Sequence, residues 1–179
     1  MISLQTTQLR LREFEPRDLA TVLKLHQHRL LAQFIPSAIT PDEAAAKRHL
    51  QRFMSGHEDP RHGYWLIERR DRGGTTEPVG MILVKPIPPS GGAAPSETEI
   101  GWRVMERHGG NGYMSEAARA VITALFAAGL DEVVAVTHPD NVASQAVAKR
   151  AGMREIGLST AYYDTQTLLF RASSSDVAR

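Results

Sequence analysis

The sequence of 179 residues contains no cysteine. This absence excludes disulfide bonds, metal sites built on thiolates and any mechanism that forms an acyl-cysteine intermediate. It is also compatible with a reducing cytoplasm. Any group transfer by this chain therefore proceeds without a cysteine nucleophile.

The chain also lacks an excess of charge of either sign, because its 21 Lys and Arg residues face 20 Asp and Glu residues. Because positive and negative charges are nearly equal in number, the sequence does not indicate the basic surface that binds nucleic acid, and we expect no nucleic-acid partner. No apolar run approaches the roughly 20 residues that span a membrane. The segment Met1–Gln5 lacks the basic and apolar regions of a signal peptide. These absences lead us to expect a soluble cytoplasmic protein with no membrane partner.

The length suits one compact domain, which we expect to extend over residues 1–179 with a frayed tail from 172 to 179. The stretch Lys85–Pro95 is rich in Pro, Gly, Ser and Ala, and it is too short to separate two domains. It predicts either a mobile edge of a cleft or a tolerated insertion, and we favour the insertion.

Apolar periodicity and turn residues predict that strands and helices alternate along the chain. The predicted strands are Leu9–Phe14, Gly63–Arg69, Pro78–Val84, Thr98–Val104, Glu132–Val136, Met153–Leu158 and Thr165–Arg171. The predicted helices begin at Pro16 and Thr40 and extend over Ser115–Gly129 and Val142–Ala151. The strand Thr98–Val104, the helix Ser115–Gly129 and the strand Glu132–Val136 predict one right-handed parallel β-α-β unit. Because helices and strands are mixed and only this unit is parallel, the sequence indicates an α+β or mixed α/β fold.

The second predicted helix has the clearest start signal. Thr40 is predicted to cap it, Pro41 to occupy its first position and Glu43 to complete a capping box. The helix is expected to continue to about Met54 and to end at Gly56.

The first predicted helix places Leu19, Val22, Leu23 and His26 on its inner face. His28 is two residues from His26, so the two imidazoles point to different sides of a helix and form a poor metal pair. We expect a surface role for this pair and no metal site in the protein.

A glycine-rich loop, Arg107–Tyr113, stands between the strand Thr98–Val104 and the helix Ser115–Gly129. Such a loop exposes backbone N–H groups beside the positive end of a helix dipole, which favours a phosphate or pyrophosphate. Arg107 adds a positive charge. The spacing excludes the Rossmann fingerprint, because position 115 is serine, and the absence of lysine excludes a P-loop. An ordinary strand-to-helix turn is the alternative.

The pattern R-x-x-G-x-G, formed by Arg107, Gly110 and Gly112, resembles the acetyl-CoA loop of the GNAT superfamily of N-acetyltransferases. The segments Glu99–Trp102, Val136–Ser144 and Ala151–Met153 add to this resemblance. It covers about residues 8–171 and is closest to the RimJ/RimL type, which acetylates protein amino termini. The resemblance implies a GNAT fold, a mostly antiparallel sheet splayed between Thr98–Val104 and Glu132–Val136.

The resemblance also implies where acetyl-CoA, the cosubstrate, binds. The pantetheine arm would lie in the splay, and the pyrophosphate would contact the glycine-rich loop and the start of the helix. The residues implied for acetyl-CoA are Arg103, Val104, Met105, Arg107, His108, Gly109, Gly110, Asn111, Gly112, Tyr113, Met114, Asn141 and Ser144.

Acetyl transfer needs a neutral amine, and Glu99 is our candidate for the base that removes the proton. Its side chain lies on the face of the strand opposite to that of Trp102. The alternative for Glu99 is a surface carboxylate or an ion pair with Arg103. Glu97 is the substitute base on the same face.

The departing thiolate needs a proton. Many family members use a tyrosine at the position of Ala148, so that acid is missing here. The RimJ/RimL type has a serine at the position of Ser144, which makes Ser144 the candidate. Tyr162, Tyr163 or water are the alternatives. Without cysteine, transfer is expected to be direct, within a ternary complex.

The resemblance therefore implies an acetyl-CoA-dependent N-acetyltransferase that acts on a primary amine, with a protein or peptide amino terminus as the favoured acceptor. A polyamine, aminoglycoside or amino-acid-like amine is the alternative, although the acid-poor stretches Gln27–Pro41 and Lys85–Pro95 disfavour polycations. A non-catalytic acyl-CoA-binding module is a further alternative. We expect a monomer or a homodimer.

Overall fold

The computed structural model describes residues 4–27, 29–55, 57–71 and 73–177. Within these ranges the strands are β1 (Leu4–Gln5), β2 (Leu9–Glu13), β3 (Gly63–Arg70), β4 (Thr76–Pro86), β5 (Thr98–Val104), β6 (Glu132–Thr137), β7 (Arg154–Ser159) and β8 (Thr167–Ser173). The α-helices are α1 (Leu19–Leu25), α2 (Arg29–Phe34), α3 (Glu43–Met54), α4 (Tyr113–Ala127), α5 (Val142–Arg150) and α6 (Ser174–Val177).

The strands form one sheet in the order β1-β2-β3-β4-β5-β6-β8-β7. Neighbouring strands are antiparallel except β5 and β6, which are parallel and connected through α4. This arrangement confirms the mixed α/β class with one parallel unit. Strand β1 and helix α2 were not predicted, because two and six residues are too few for a periodic signal.

Period-two alternation divides the apolar side chains of the sheet between its two faces. Trp65 and Ile100 pack with Val121 of α4 on one face. Leu66 packs with Val22 of α1 and Phe53 of α3 on the other. The odd-numbered residues of β5 therefore face the layer formed by α1 and α3, which places their side chains beneath those helices.

The start of α3 differs from the prediction. Asp42, not Thr40, is the N-cap, and its Oδ1 accepts a hydrogen bond from the backbone N–H of Ala45 at 2.7 Å. Thr40 is buried instead, and its Oγ1 lies 3.0 Å from His49 Nδ1. The helix reaches Met54 as predicted, and Gly56 lies outside the described residues.

The predicted inner-face position of His26 is confirmed, because His26 is fully buried at the end of α1. The surface role expected for the His26 and His28 pair is therefore wrong for His26. Its ring packs against His49 and Phe53, with centroids 5.1 and 5.8 Å away. Helix α1 ends at Leu25, and His26 is its C-cap residue. The side chain of His26 continues the inner face of the helix and is enclosed by α3. His28 lies outside the described residues.

The end of the chain also differs from the prediction. Strand β8 continues to Ser173 and α6 follows it, with the backbone N–H of Ser174 donating to the carbonyl of Asp131 at 2.8 Å. Residues 178 and 179 lie outside the described structure. None of the described helices is long and apolar enough to cross a membrane. No cluster of three or more His, Asp or Glu side chains in the described part of the chain is suited to hold a metal ion.

Candidate active site

Strands β5 and β6 diverge beside a cavity. In the described structure their ladder joins only Glu99 to Val134, whereas β4 and β5 stay paired from Pro86 and Thr98 to Gly80 and Val104. A cavity of about 720 Å³ is lined by both strands, by the segment around α2 and α3 and by the start of α5. The divergence agrees with the splay expected between these strands.

Glu99 lies on the cavity wall and is 8% exposed. Its Oε2 accepts a hydrogen bond from the phenol of Tyr163 and lies 3.0 Å from Lys85 Nζ. Lys85 is directly opposite Glu99 in the β4–β5 ladder, and its ammonium also donates to Tyr163 Oη at 2.6 Å. Among the described residues Oε1 has no hydrogen-bond partner, so one oxygen of the carboxylate can still accept a hydrogen bond.

Tyr163 is held by an unusual turn. Both Tyr163 and Asp164 have positive φ values, 60° and 52°, which non-glycine residues adopt at some cost in free energy. Burial raises the pKa of the Tyr163 phenol, and the charge of Glu99 raises it further. Tyr163 is therefore a neutral hydrogen-bond donor to Glu99 at ordinary pH.

The stretch Lys85–Pro95 supports this turn, which corrects its interpretation as a tolerated insertion. Ile87 is 1% exposed, Pro89 forms a bridge to Tyr162, and the backbone N–H of Tyr163 donates to the carbonyl of Pro88 at 3.1 Å. A short 3-10 turn follows at Ser90–Gly92. The stretch is thus docked against the segment that positions Tyr163.

Glu97, the substitute base, is engaged elsewhere. Its carboxylate accepts hydrogen bonds from the Tyr162 phenol and from Arg171 Nη2, the latter at 3.0 Å. It is not among the residues that line the cavity. Glu99 is therefore the better-placed carboxylate of the two.

Ser144 lies across the cavity on α5. The indole N–H of Trp102 donates to Ser144 Oγ at 3.1 Å, and Asn141 caps the helix by accepting from the Ser144 backbone N–H at 3.1 Å. Trp102, Asn141 and Ser144 all line the cavity. Because the indole occupies an acceptor position of the hydroxyl, the Ser144 O–H remains free to donate.

The glycine-rich loop presents unpaired donors. Gly110 and Gly112 have φ values of 79° and 80°, and Gly112 is the N-cap of α4 without a side-chain cap. Among the described residues, no acceptor is hydrogen-bonded to the backbone N–H groups of Gly110, Asn111, Gly112 or Tyr113. The backbone N–H groups of His108 and Gly109 donate to the carbonyls of Met105 and Glu106 in the preceding 3-10 turn. Fewer N–H groups are therefore available to bind an anion than predicted.

Arg107 is exposed, and its charge is already paired. Its Nη2 donates to Glu77 Oε1 at 2.8 Å, and His108 Nε2 lies 3.3 Å from the same oxygen. Glu77 also binds Arg69 at 3.1 Å. Arg107 therefore borders the loop as part of an ion-pair network, with Glu77 as its acidic partner.

The backbone of β5 offers hydrogen-bonding groups to the gap. The N–H of Met105 donates to the carbonyl of Val79 at 2.8 Å, and Met105 is buried. Because paired residues of an antiparallel ladder alternate between bonded and non-bonded positions, the backbone groups of Val104 and Trp102 point away from β4. Of Arg103, Val104 and Met105, only Val104 therefore directs its backbone to the gap.

Comparison with known proteins identifies the family. Residues 8–154 match the family model described as Acetyltransferase (GNAT) domain. The chain belongs to this family. It is 27% identical over 160 residues to "Uncharacterized N-acetyltransferase YoaA" of Bacillus subtilis (strain 168), a match that covers 89% of this chain and 86% of the relative. The expected assignment as an N-acetyltransferase is thereby confirmed.

Solved structures share the fold of this acetyltransferase. A GNAT-family acetyltransferase from Bacillus anthracis superposes with a TM-score of 0.77 at 19% identity, over 97% of this chain and 99% of that one. A RimL ribosomal L7/L12 alpha-N-protein acetyltransferase in complex with coenzyme A superposes with a TM-score of 0.75 at 22% identity, over 97% and 98% of the two chains. These likenesses confirm the GNAT fold.

Within the acetyltransferase, the cavity brings together Glu99, Arg103, Asn141 and Ser144 of the predicted site residues. The loop residues that follow β5, including Met114 at the start of α4, lie outside its lining. Lys85 was missed, although its place opposite Glu99 follows once the hairpin register is known.

Arg103 is held by a contact with His26 that no local sequence signal indicated. Its guanidinium donates to His26 Nε2, and His26 Nδ1 lies 2.7 Å from the carbonyl of Val22. A guanidinium can only donate, so Nε2 accepts and Nδ1 carries the proton. Burial lowers the pKa of His26 to about 3, and the charge of Arg103 contributes to this shift.

Proposed function

We propose that this acetyltransferase transfers the acetyl group of acetyl-CoA directly to the α-amine of a protein or peptide amino terminus. The observation that carries the proposal is the cavity at the β5–β6 gap, which has Glu99 and Ser144 among its lining residues. A base and an acid on one cavity are what proton transfer at an amine and at a thiolate requires.

The unpaired donors of the described structure fit a CoA molecule. The backbone N–H groups of Gly110, Asn111, Gly112 and Tyr113 would hold the pyrophosphate at the start of α4. The backbone of Val104 would bind the pantetheine arm in the gap. Acetyl-CoA supplies the thioester whose acetyl group is transferred.

Glu99 accepts the proton of the attacking amine. An α-amine titrates near 7.7–8.0, so part of it is protonated at neutral pH and must lose a proton before or during attack. Lys85 and Tyr163 occupy Oε2 and hold the carboxylate in place, which leaves Oε1 for the amine or for an intervening water.

Ser144 supplies the proton that the sulfur takes up. A thiol titrates near 8.5, so protonation assists departure at neutral pH. The Trp102 indole orients the hydroxyl toward donation. The hydroxyl passes its proton to the sulfur while it takes up a proton from solvent, so no free alkoxide forms. The position of the family tyrosine is occupied by Ala148, which is fully buried and has no proton to give.

The amino-terminal acceptor is supported by the RimL enzyme that shares the fold and acts on ribosomal protein L7/L12. The test is a turnover screen with acetyl-CoA in which free CoA is detected for amino-terminal peptides, polyamines and small amines. Peptides are expected to be the best acceptors. Faster turnover of a small amine would contradict the acceptor class, and no turnover with any amine despite CoA binding would favour a non-catalytic module.

A further inference from the structure

One end of the cavity carries positive charge without a counter-charge. Arg52 of α3 and Arg103 of β5 both line it. Within the described part of the chain, no carboxylate lies within salt-bridge distance of either guanidinium. Arg103 is bound to the neutral imidazole of His26, and Arg52 lies over the rings of Phe53 and Tyr64 at 5.6 and 6.0 Å.

The environment of Arg103 is unfavourable for a cation. Burial and the charge of Arg52 together lower its pKa to about 10, although the charge of Glu99 acts in the opposite direction. Burial and the charges of Arg52, Arg103 and Arg48 lower the pKa of His49, which also lines this end, so its imidazole is neutral and offers the arginines no counter-charge. Buried charges in proteins are normally paired, so the Arg103 guanidinium, which has no carboxylate partner among the described residues, calls for an anion. Arg52 is exposed and adds a second positive charge at the same end of the cavity.

The strand sets the spacing between this end and Glu99. Glu99, Gly101 and Arg103 face the same side of β5, and four residues of strand separate the first and last by about 13 Å between Cα atoms. Gly101 has no side chain, and the side chain of Leu83 covers the position that a Cβ would take there. Both residues line the cavity between Glu99 and Arg103. An acceptor can therefore extend from Glu99 to Arg103.

We propose that Arg103 and Arg52 bind a carboxylate on the side chain of an acidic residue close to the amino terminus of the peptide acceptor. This inference rests on the proposed function, because it assumes that the amine is placed at Glu99. The free carboxylate of a single α-amino acid is attached to the same carbon as its amine, which is too close to reach both ends. An acidic side chain at the second or third position of a peptide has the required reach.

The test uses two peptides that differ in one residue, Ser-Ala-Glu and Ser-Ala-Gln followed by the same neutral segment. With saturating acetyl-CoA, kcat/KM is expected to be about tenfold or more higher for the Glu peptide, the effect of one charge-assisted hydrogen bond. The variant Arg52→Gln should lose most of this preference. Arg48→Gln makes the same charge change on an exposed position of α3 outside the cavity and should keep it.

Binding of both peptides to the CoA-saturated enzyme is measured in parallel by calorimetry. This arm tests anion recognition even where no acetyl transfer occurs, so failure of the proposed function and failure of the inference are distinguishable. Equal affinity of the wild type for both peptides would overturn the inference. A raised KM for acetyl-CoA in Arg52→Gln, with peptide preference unchanged, would also overturn it and assign the arginines to CoA phosphates.

A third acceptor separates the two sources of a carboxylate. The small molecule 6-aminohexanoate carries an amine and a carboxylate at a distance but no peptide. If 6-aminohexanoate turned over faster than the Glu peptide, the conclusion that the bound carboxylate comes from a peptide would be overturned. Slower turnover, together with the Glu preference, supports the peptide.

Discussion

The indole N–H of Trp102 and the hydroxyl of Ser144 form a hydrogen bond of 3.1 Å across the gap between β5 and α5. The bond connects the two walls between which the thioester would lie. It also fixes the Ser144 oxygen as an acceptor on one side, so that its proton points elsewhere.

Ser144→Ala is therefore expected to lower kcat on the order of 10²-fold while the KM for acetyl-CoA changes little, because the leaving thiolate loses its acid. Steady-state kinetics with the best peptide acceptor measures this effect. Trp102→Phe keeps the ring but removes the donor, and should lower kcat less. Unchanged turnover in Ser144→Ala would assign the proton to water or to a tyrosine.

Glu99→Gln is expected to lower kcat by about 10²–10⁴-fold, because an amide cannot accept the proton of the amine. CoA affinity should be almost unchanged, since the side chain faces the acceptor. The control is Glu97→Gln, whose carboxylate binds Arg171 and Tyr162 outside the cavity. If both variants lost activity equally, or if only Glu97→Gln did, Glu99 would not be the base.

Gly110→Val is expected to abolish CoA binding, because a β-branched residue at a φ of 79° forces the loop to change shape. Gly129→Val is the matched control. Gly129 has a φ of 81° just after the other end of α4, and a Cβ would meet nothing within 4 Å at either glycine. Calorimetry with CoA should show binding in the control and none in Gly110→Val; equal affinity in both would contradict the loop assignment.

Much of the fold could be predicted because its signals are local. The alternation of β5 is contained in seven residues, and its predicted bounds are those observed. Helix α5 was predicted from neighbouring residues over Val142–Ala151 and is observed over Val142–Arg150. Glu99 and Ser144 were singled out as candidates because each belongs to a short motif, and both line the cavity.

The partners of these residues could not be predicted, because they depend on contacts between distant segments. Tyr163 donates to Glu99, which is 64 residues away in the sequence. The turn that holds Tyr163 has positive φ values that no sequence signal predicted. The inner-face position of His26 was predicted, but its contacts with His49 of α3 and with Arg103 were not. Both are tertiary effects that periodicity does not report.

Arg12 is a determinant of stability remote from the cavity. It is 7% exposed, donates to both oxygens of Asp18 at 2.7 and 2.9 Å, and donates to Glu68 at 2.9 Å. Burial alone would raise the pKa of Asp18, but the hydrogen bonds from Arg12 and from the Glu15 backbone outweigh it and lower the pKa. Arg12→Met should cost about 3–5 kcal/mol, because the buried Asp18 loses its two hydrogen bonds from Arg12 and the buried Glu68 keeps only Arg10, at 3.9 Å. Denaturant unfolding measures this, and Arg17→Met, at an exposed site, should cost little.

His26 should make the enzyme less stable in acid. Its pKa is about 3 in the folded state and about 6.5 when unfolded. Above pH 6.5 both states hold it neutral, whereas between pH 6.5 and 3 the unfolded state binds one more proton, so unfolding becomes easier as the pH falls, by up to about 1.4 kcal/mol per pH unit. His26→Gln, whose amide oxygen can still accept from Arg103, should show a shallower loss of stability over this range in denaturant titrations at several pH values. His138→Gln is the control, because the His138 side chain is half-exposed. An identical slope of unfolding free energy against pH for the wild type and His26→Gln would mean that His26 takes up its proton without unfolding.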